Sequence, residues 1–194
     1  MRPVMLRIVG RKLFASALVT ASLACGSMGA PSCPPQAPAA SGHGYALLYA
    51  ILAQEKQVSQ LLIIKHDREA LGTVIDAIAQ TCGTAYERLG ELGGQSPRLD
   101  LADTGLPADE LRTRQLIAAT RRDLLLASSG IELELQLLLT QNEALTYAAH
   151  LADTLSRSER DPERLAFDRA LWKDLTGLLH DVQALLRRPL RPAG

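Results

Sequence analysis

Between positions 71 and 92 the apolar residues fall at alternating steps of four and three: Leu71, Ile75, Ile78, Cys82, Ala85, Leu89 and Leu92. That spacing lays them along one stripe of an α-helix. Run backwards, the same register passes Arg68, Ile64, Leu61, Gln57, Gln54, Ala50 and Leu47, a seam with polar interruptions. It predicts a helix from about Gly44 to Leu92. Gly72 and the charged Lys65-His66-Asp67-Arg68-Glu69 are where it is expected to kink or break.

Proline positions divide the rest. None lies between Pro38 and Pro97, Pro107 and Pro162, or Pro162 and Pro189, and proline interrupts helices. Gly93-Gly94, Pro97 and Gly105 mark a loop over residues 93–106. A second helix is predicted from about Pro107 to Leu155, with Asp109 and Glu110 at its positive end. Its face is Ile131, Leu135, Leu138, Leu145 and Ala152; Leu137-Leu138-Leu139 widens that face, and Ser128-Ser129-Gly130 is a candidate bend. Asp161-Pro162-Glu163 supplies a capping carboxylate, a first-turn proline and a first-turn acid. The third helix runs from there to about Arg187, with Leu171, Leu175, Leu178, Val182 and Leu185 inward, and Pro189 stops it.

The fold class predicted is all-α. One architecture is a long antiparallel hairpin whose anchor-proximal half is covered by the shorter third helix. The other breaks the first two helices near Gly72 and Gly130 and closes a compact four-helix-type bundle of four or five helices. Composition agrees with either: 47% hydrophobic and only 4% aromatic, with Leu and Ala, good helix formers, in excess. No internal repeat is present.

The first 24 residues follow different rules. Arg2, Arg7, Arg11 and Lys12 form a basic start, and Leu13 to Ala24 carries no charge. This is the order of a secretory signal, with an apolar part too short to span a bilayer. Ser22-Leu23-Ala24-Cys25, followed by Gly26-Ser27, resembles the lipobox of bacterial lipoproteins. The resemblance covers residues 1–27 only. It implies acylation of Cys25 as the mature N-terminus, a membrane anchor through that lipid, and a place in the cell envelope facing the periplasm. Ser22 stands where that family has Leu, Val or Ile. Ser22-Leu23-Ala24 also suits ordinary signal peptidase, so a plainly secreted, soluble chain is the alternative. Behind the signal (1–24), residues 25–43 carry Pro31, Pro34, Pro35 and Pro38 among small residues and read as an extended tether. The helical domain is expected over 44–188, with a basic tail at 189–194.

Charge excludes a class of partner. The whole chain has 21 Lys+Arg and 21 Asp+Glu, and the signal takes four of the bases and no acids. The remainder has 17 bases against 21 acids, a net charge of −4. That is no footprint for nucleic acid, which attracts basic domains. Besides Cys25, the chain has Cys33 and Cys82. On one unbroken helix Cys82 lies 38 residues past Gly44, about 57 Å. The 11 residues from Cys33 to Gly44 reach only about 38 Å. A buried structural Cys82 is therefore expected, with Cys33 free or paired between chains. A bridge between the two requires the helix to fold back.

Candidate chemistry is sparse. A metal bundle needs inward carboxylates and histidines, typically Glu-x-x-His on two helices, and the chain has none. Glu55, His66, Glu143 and His150 form a conceivable set in the compact bundle, although Glu143 and His150 stand two turns apart. No nucleophile motif, phosphate loop or cofactor signature occurs, so no catalytic residue and no cofactor is assigned. Arg112, Arg114, Arg121 and Arg122 put four bases on the second helix, a possible interaction surface. Tyr45 and Tyr49, one turn apart, are expected in the core. The expectation is a non-enzymatic envelope lipoprotein whose helical domain meets an envelope protein of unknown identity. The alternatives are a ferritin-like bundle holding a metal or small ligand in the periplasm, and a coiled-coil spacer or oligomer.

Overall fold

Helices begin or end at Gly94, Pro107, Ser128-Ser129-Gly130 and Asp161-Pro162, where the sequence places turns and caps. The computed structural model describes residues 39–60 and 69–188. It contains α1 (Ala39–Glu55), α2 (Glu69–Gly94), α3 (Ala108–Ala127), α4 (Gly130–Ser158) and α5 (Pro162–Leu186). There is no strand among the described residues. The signal, Cys25, Cys33, the tether through residue 38, His66 and the basic tail lie outside them. α1 begins at Ala39, five residues before the expected Gly44.

The all-α class holds, in its compact form. Chain direction alternates between neighbours around a four-helix ring of α1, α2, α5 and α4, so that α1 faces α5 across the core, and α2 faces α4. The long hairpin is not formed, because both long helices break. The first breaks at residues 56–59. There Gln57 N, Val58 N and Gln60 N bond three residues back, to Gln54, Glu55 and Gln57 carbonyls at 3.1 Å. Of the expected break, Gly72 lies inside α2 and Glu69 begins it, while Lys65-His66-Asp67-Arg68 lie outside the described residues.

α1 keeps a register of its own. Tyr45, Leu48, Leu52, Glu55 and Val58 point into the core, while Ala50, Gln54 and Gln57 of the expected seam are exposed. In α2 the predicted stripe from Leu71 to Leu92 is buried throughout.

The second break falls at the expected bend. Ser128 and Ser129 are extended, and Gly130 takes φ +57°, a left-handed conformation that glycine adopts without steric cost. The chain reverses there, so α3 lies antiparallel beside α4. The face of α4 starts at Leu133 and Leu137 rather than at Ile131 and Leu135, which are half-buried.

Asp161 caps α5 as its sequence predicts: its side chain accepts from Glu163 N at 3.0 Å and Arg164 N at 2.9 Å. The third helix was expected against Leu47–Ile64 and Ile131–Leu155; α5 packs on α4, which is the second of these, but on α2 rather than α1, which lies diagonal to it. Among the described residues no helix is long and apolar enough to cross a membrane.

Candidate functional site

The three described members of the expected metal set, Glu55, Glu143 and His150, do not converge. Glu55 is buried. Glu143 is exposed and paired with Arg121 of α3, and His150 is exposed on the same side of α4. His66 lies outside the described residues. Among the described residues no group of three or more His, Cys, Asp or Glu could hold a metal ion.

Glu55 meets other partners. The Gln141 side chain of α4 hydrogen-bonds it, yet burial outweighs that bond and raises its pKa. The Cys82 thiol of α2 is buried, and desolvation together with the Glu55 charge pushes it up to about 12. A thiol so placed stays protonated and is a poor nucleophile. Gln141 Oε1 has no hydrogen-bond partner. Protonating Glu55 would give it one, because an acid and an amide can exchange two hydrogen bonds.

The densest buried polar group lies at the other end of α1. The Tyr45 hydroxyl is 2.6 Å from Asp168 Oδ2 of α5 and 2.9 Å from Glu159 Oε2 of the α4–α5 turn. One hydroxyl proton cannot serve two carboxylates. Burial raises Asp168 to about 7, and the Glu159 charge adds to the rise. Burial would raise Glu159 too, but it is held below its usual range by backbone N–H donors of Asp161 and Arg160, the Tyr45 hydroxyl and the Arg164 charge. The pattern fits a relay: protonated Asp168 donates to the Tyr45 oxygen, Tyr45 donates to ionised Glu159, and Arg164 Nε lies 3.3 Å from Glu159 Oε2. Arg164 Nη1 also donates to Pro97 O at 2.9 Å, tying down the loop over residues 95–107. Nearby, Gly105 has φ +64°, and a Cβ there would collide with the His43 ring.

Asp168 is fully buried, and Asp168 Oδ1 and Arg164 Nε lack hydrogen-bond partners among the described residues. The group is a fastener joining α1, α5, the α4–α5 turn and the loop at Pro97. Its residues were missed as a group in the sequence, although a signal existed. Stepping back from Leu171 by three and four reaches Asp168 and Arg164, charged residues on a seam. Tyr45 is in the core as expected; Tyr49 stacks on Tyr86 with ring centroids 4.2 Å apart.

The surface of interest is α3. Of its residues only Leu125 is buried. Leu116 is 61% exposed, Ile117 46% and Leu124 41%, and Leu111 and Leu126 are also exposed. Leu139 and Tyr147 of α4 extend the apolar surface. α3 turns polar residues toward α4: Arg121 pairs with Glu143, and the Arg114 guanidinium lies 5.8 Å from the Tyr147 ring. The four expected bases therefore do not form one cationic surface. Arg114 is also paired with Glu110 at 2.7 Å, and Arg122 is 3.5 Å from Asp123. Arg112 is exposed, and no ion pair is recorded for it among the described residues. Between α3 and α4 a groove of about 220 Å³ is lined by Leu124, Leu125, Gln136 and Leu139, with Arg121 and Glu143 at its edge.

No family model, curated protein or solved structure matches the chain.

Proposed function

We propose that this chain is a non-enzymatic bacterial envelope lipoprotein, anchored through acylated Cys25, whose helical domain works by protein–protein contact through α3. The observation that carries the contact is the exposed pair Ile117 and Leu124, two turns apart on one face of a helix that turns Arg114 and Arg121 toward α4, with Leu139 of α4 across the groove from Leu124. Contiguous exposed apolar surface of this kind marks interaction sites. The anchor rests on the order of basic start, short apolar run and Ser22-Leu23-Ala24-Cys25.

Two measurements test the two parts. The intact mass of the protein from its native cells should begin at Cys25 and carry added acyl chains; an unmodified chain removes the anchor. Affinity capture from native envelopes should recover a protein that the Ile117→Glu, Leu124→Glu variant does not recover. Equal recovery by both chains removes α3 as the contact.

A further inference from the structure

α3 spans Ala108–Ala127, so its midpoint falls between Ile117 and Ala118. Around that point one stripe is symmetric. Asp109, Arg112, Leu116, Ala119, Asp123 and Leu126 follow at steps of three and four, the spacing of a coiled-coil seam. The stripe lies away from α4, whose contacts come from Arg114, Arg121 and Leu125. Its members are exposed, with Ala119 half-exposed.

Reversing a second α3 about the midpoint brings Leu116 opposite Ala119 and Arg112 opposite Asp123, each twice, and leaves Asp109 opposite Leu126 at the two ends. A large residue then meets a small one at the centre, and a base meets an acid on either side. This is the self-complementary arrangement a two-fold dimer requires. A parallel pair has no such match: it sets Arg112 against Arg112 and Asp123 against Asp123. Among the described residues Asp123 is held only by its sequence neighbour Arg122 at 3.5 Å, both largely exposed, so it remains available to a partner.

We infer that α3 pairs antiparallel with α3 of a second copy of this chain, with Leu116 packed on the partner's Ala119 and Arg112 bonded to the partner's Asp123. This rests on the reading that α3 is a protein-contact surface and names the first protein it contacts. One helix pair is smaller than the interface of a standard stable complex, so the dimer is a concentration-dependent one.

The test is sedimentation equilibrium of the full chain with three charge variants. Arg112→Asp and Asp123→Arg should each weaken the dimer at least about tenfold, since each sets like charges together twice. The double variant Arg112→Asp, Asp123→Arg should return it to within about threefold of the parent. Circular dichroism should be the same for all four, since neither side chain is part of the bundle core.

A chain monomeric at every concentration overturns the proposal, as does a double variant no better than the single ones. Capture from native envelopes separates the two levels. A different protein captured through α3 by a monomeric chain overturns self-pairing and leaves the contact reading standing. Neither self-pairing nor α3-dependent capture overturns both.

Discussion

α3 and α4 are consecutive, comparably rich in leucine, and were expected to form one helix. α4 buries ten residues and α3 one. The difference lies in how the apolar positions are arranged. In α4, Leu133, Leu137, Leu138, Gln141, Leu145, Ala148, Ala149 and Ala152 keep the three-and-four spacing over five turns and fill the side of the bundle. In α3, Leu111, Leu116, Ile117, Leu124, Leu125 and Leu126 scatter around the axis, and the face toward α4 is taken by Arg114 and Arg121. A helix needs a continuous apolar stripe to bury itself in a bundle. Without one, α3 stays outside with its leucines in solvent, and that is what makes it the candidate contact.

The contrast can be broken most severely in the core. Leu137→Ala or Leu145→Ala, at fully buried positions, should cost about 2–5 kcal/mol in urea unfolding. Leu116→Ala, 61% exposed, should stay within about 0.5 kcal/mol. Equal losses at Leu137 and Leu116 would mean that α3 is part of the core after all.

The fastener at Tyr45 comes next and gives a pH dependence. Unfolded, Asp168 titrates at about 4; folded, it titrates at about 7. The folded state keeps a proton that the unfolded state has lost, so stability should fall as pH rises from about 4 to about 7. Glu159, held below its usual range when folded, has the opposite sign: its contribution is present above that range and is lost as pH falls through the folded pKa. Together they place maximum stability on the acid side of neutrality. Asp168→Asn should flatten the slope between pH 4 and 7, removing a change of roughly 1–4 kcal/mol across that window. Thermal midpoints of the parent that do not move between pH 5 and 7 would contradict the relay.

A smaller effect belongs to the cap. Asp161 holds two N–H groups of α5, and Asp161→Ala should cost about 1 kcal/mol, readable by urea unfolding. Smallest for stability, and sharpest for the contrast, is Ile117→Glu. The midpoint of thermal unfolding should move by no more than a few degrees, while contact made through the Ile117–Leu124 face is lost.

The sequence revealed the stripes and the punctuation better than the partners. Asp161-Pro162-Glu163 and Ser128-Ser129-Gly130 acted where they stand, because caps and turns are local chemistry. The α2 stripe was legible for the same reason. The backward run from Leu71 failed at Gln57, Gln54 and Ala50, because α1 ends in a turn at Lys56–Ser59 and lies antiparallel beside α2 with a face of its own, Gln54 out and Glu55 in; Leu61, Ile64 and Arg68 lie outside the described residues. Nothing in that polar stretch announces the turn. The Tyr45–Asp168 bond joins positions 123 apart, and no periodicity encodes such a pairing. The basic set Arg112, Arg114, Arg121 and Arg122 was visible as composition. Its division between Glu110, Glu143 and solvent depends on how α3 docks, a tertiary matter. The metal set was read from residue type alone, and the fold puts Glu55 inside and Glu143 and His150 outside.

The central claim is that this domain meets other proteins through α3 and not through the closed bundle. The most direct test replaces Ile117 with a photo-crosslinking amino acid in the full chain in its native cells. The control is the same substitution at Trp172, 45% exposed on α5 and so equally open to solvent. Discrete protein adducts from position 117 and none from position 172 are the result expected. No adduct from position 117, or the same adducts from both, would contradict it.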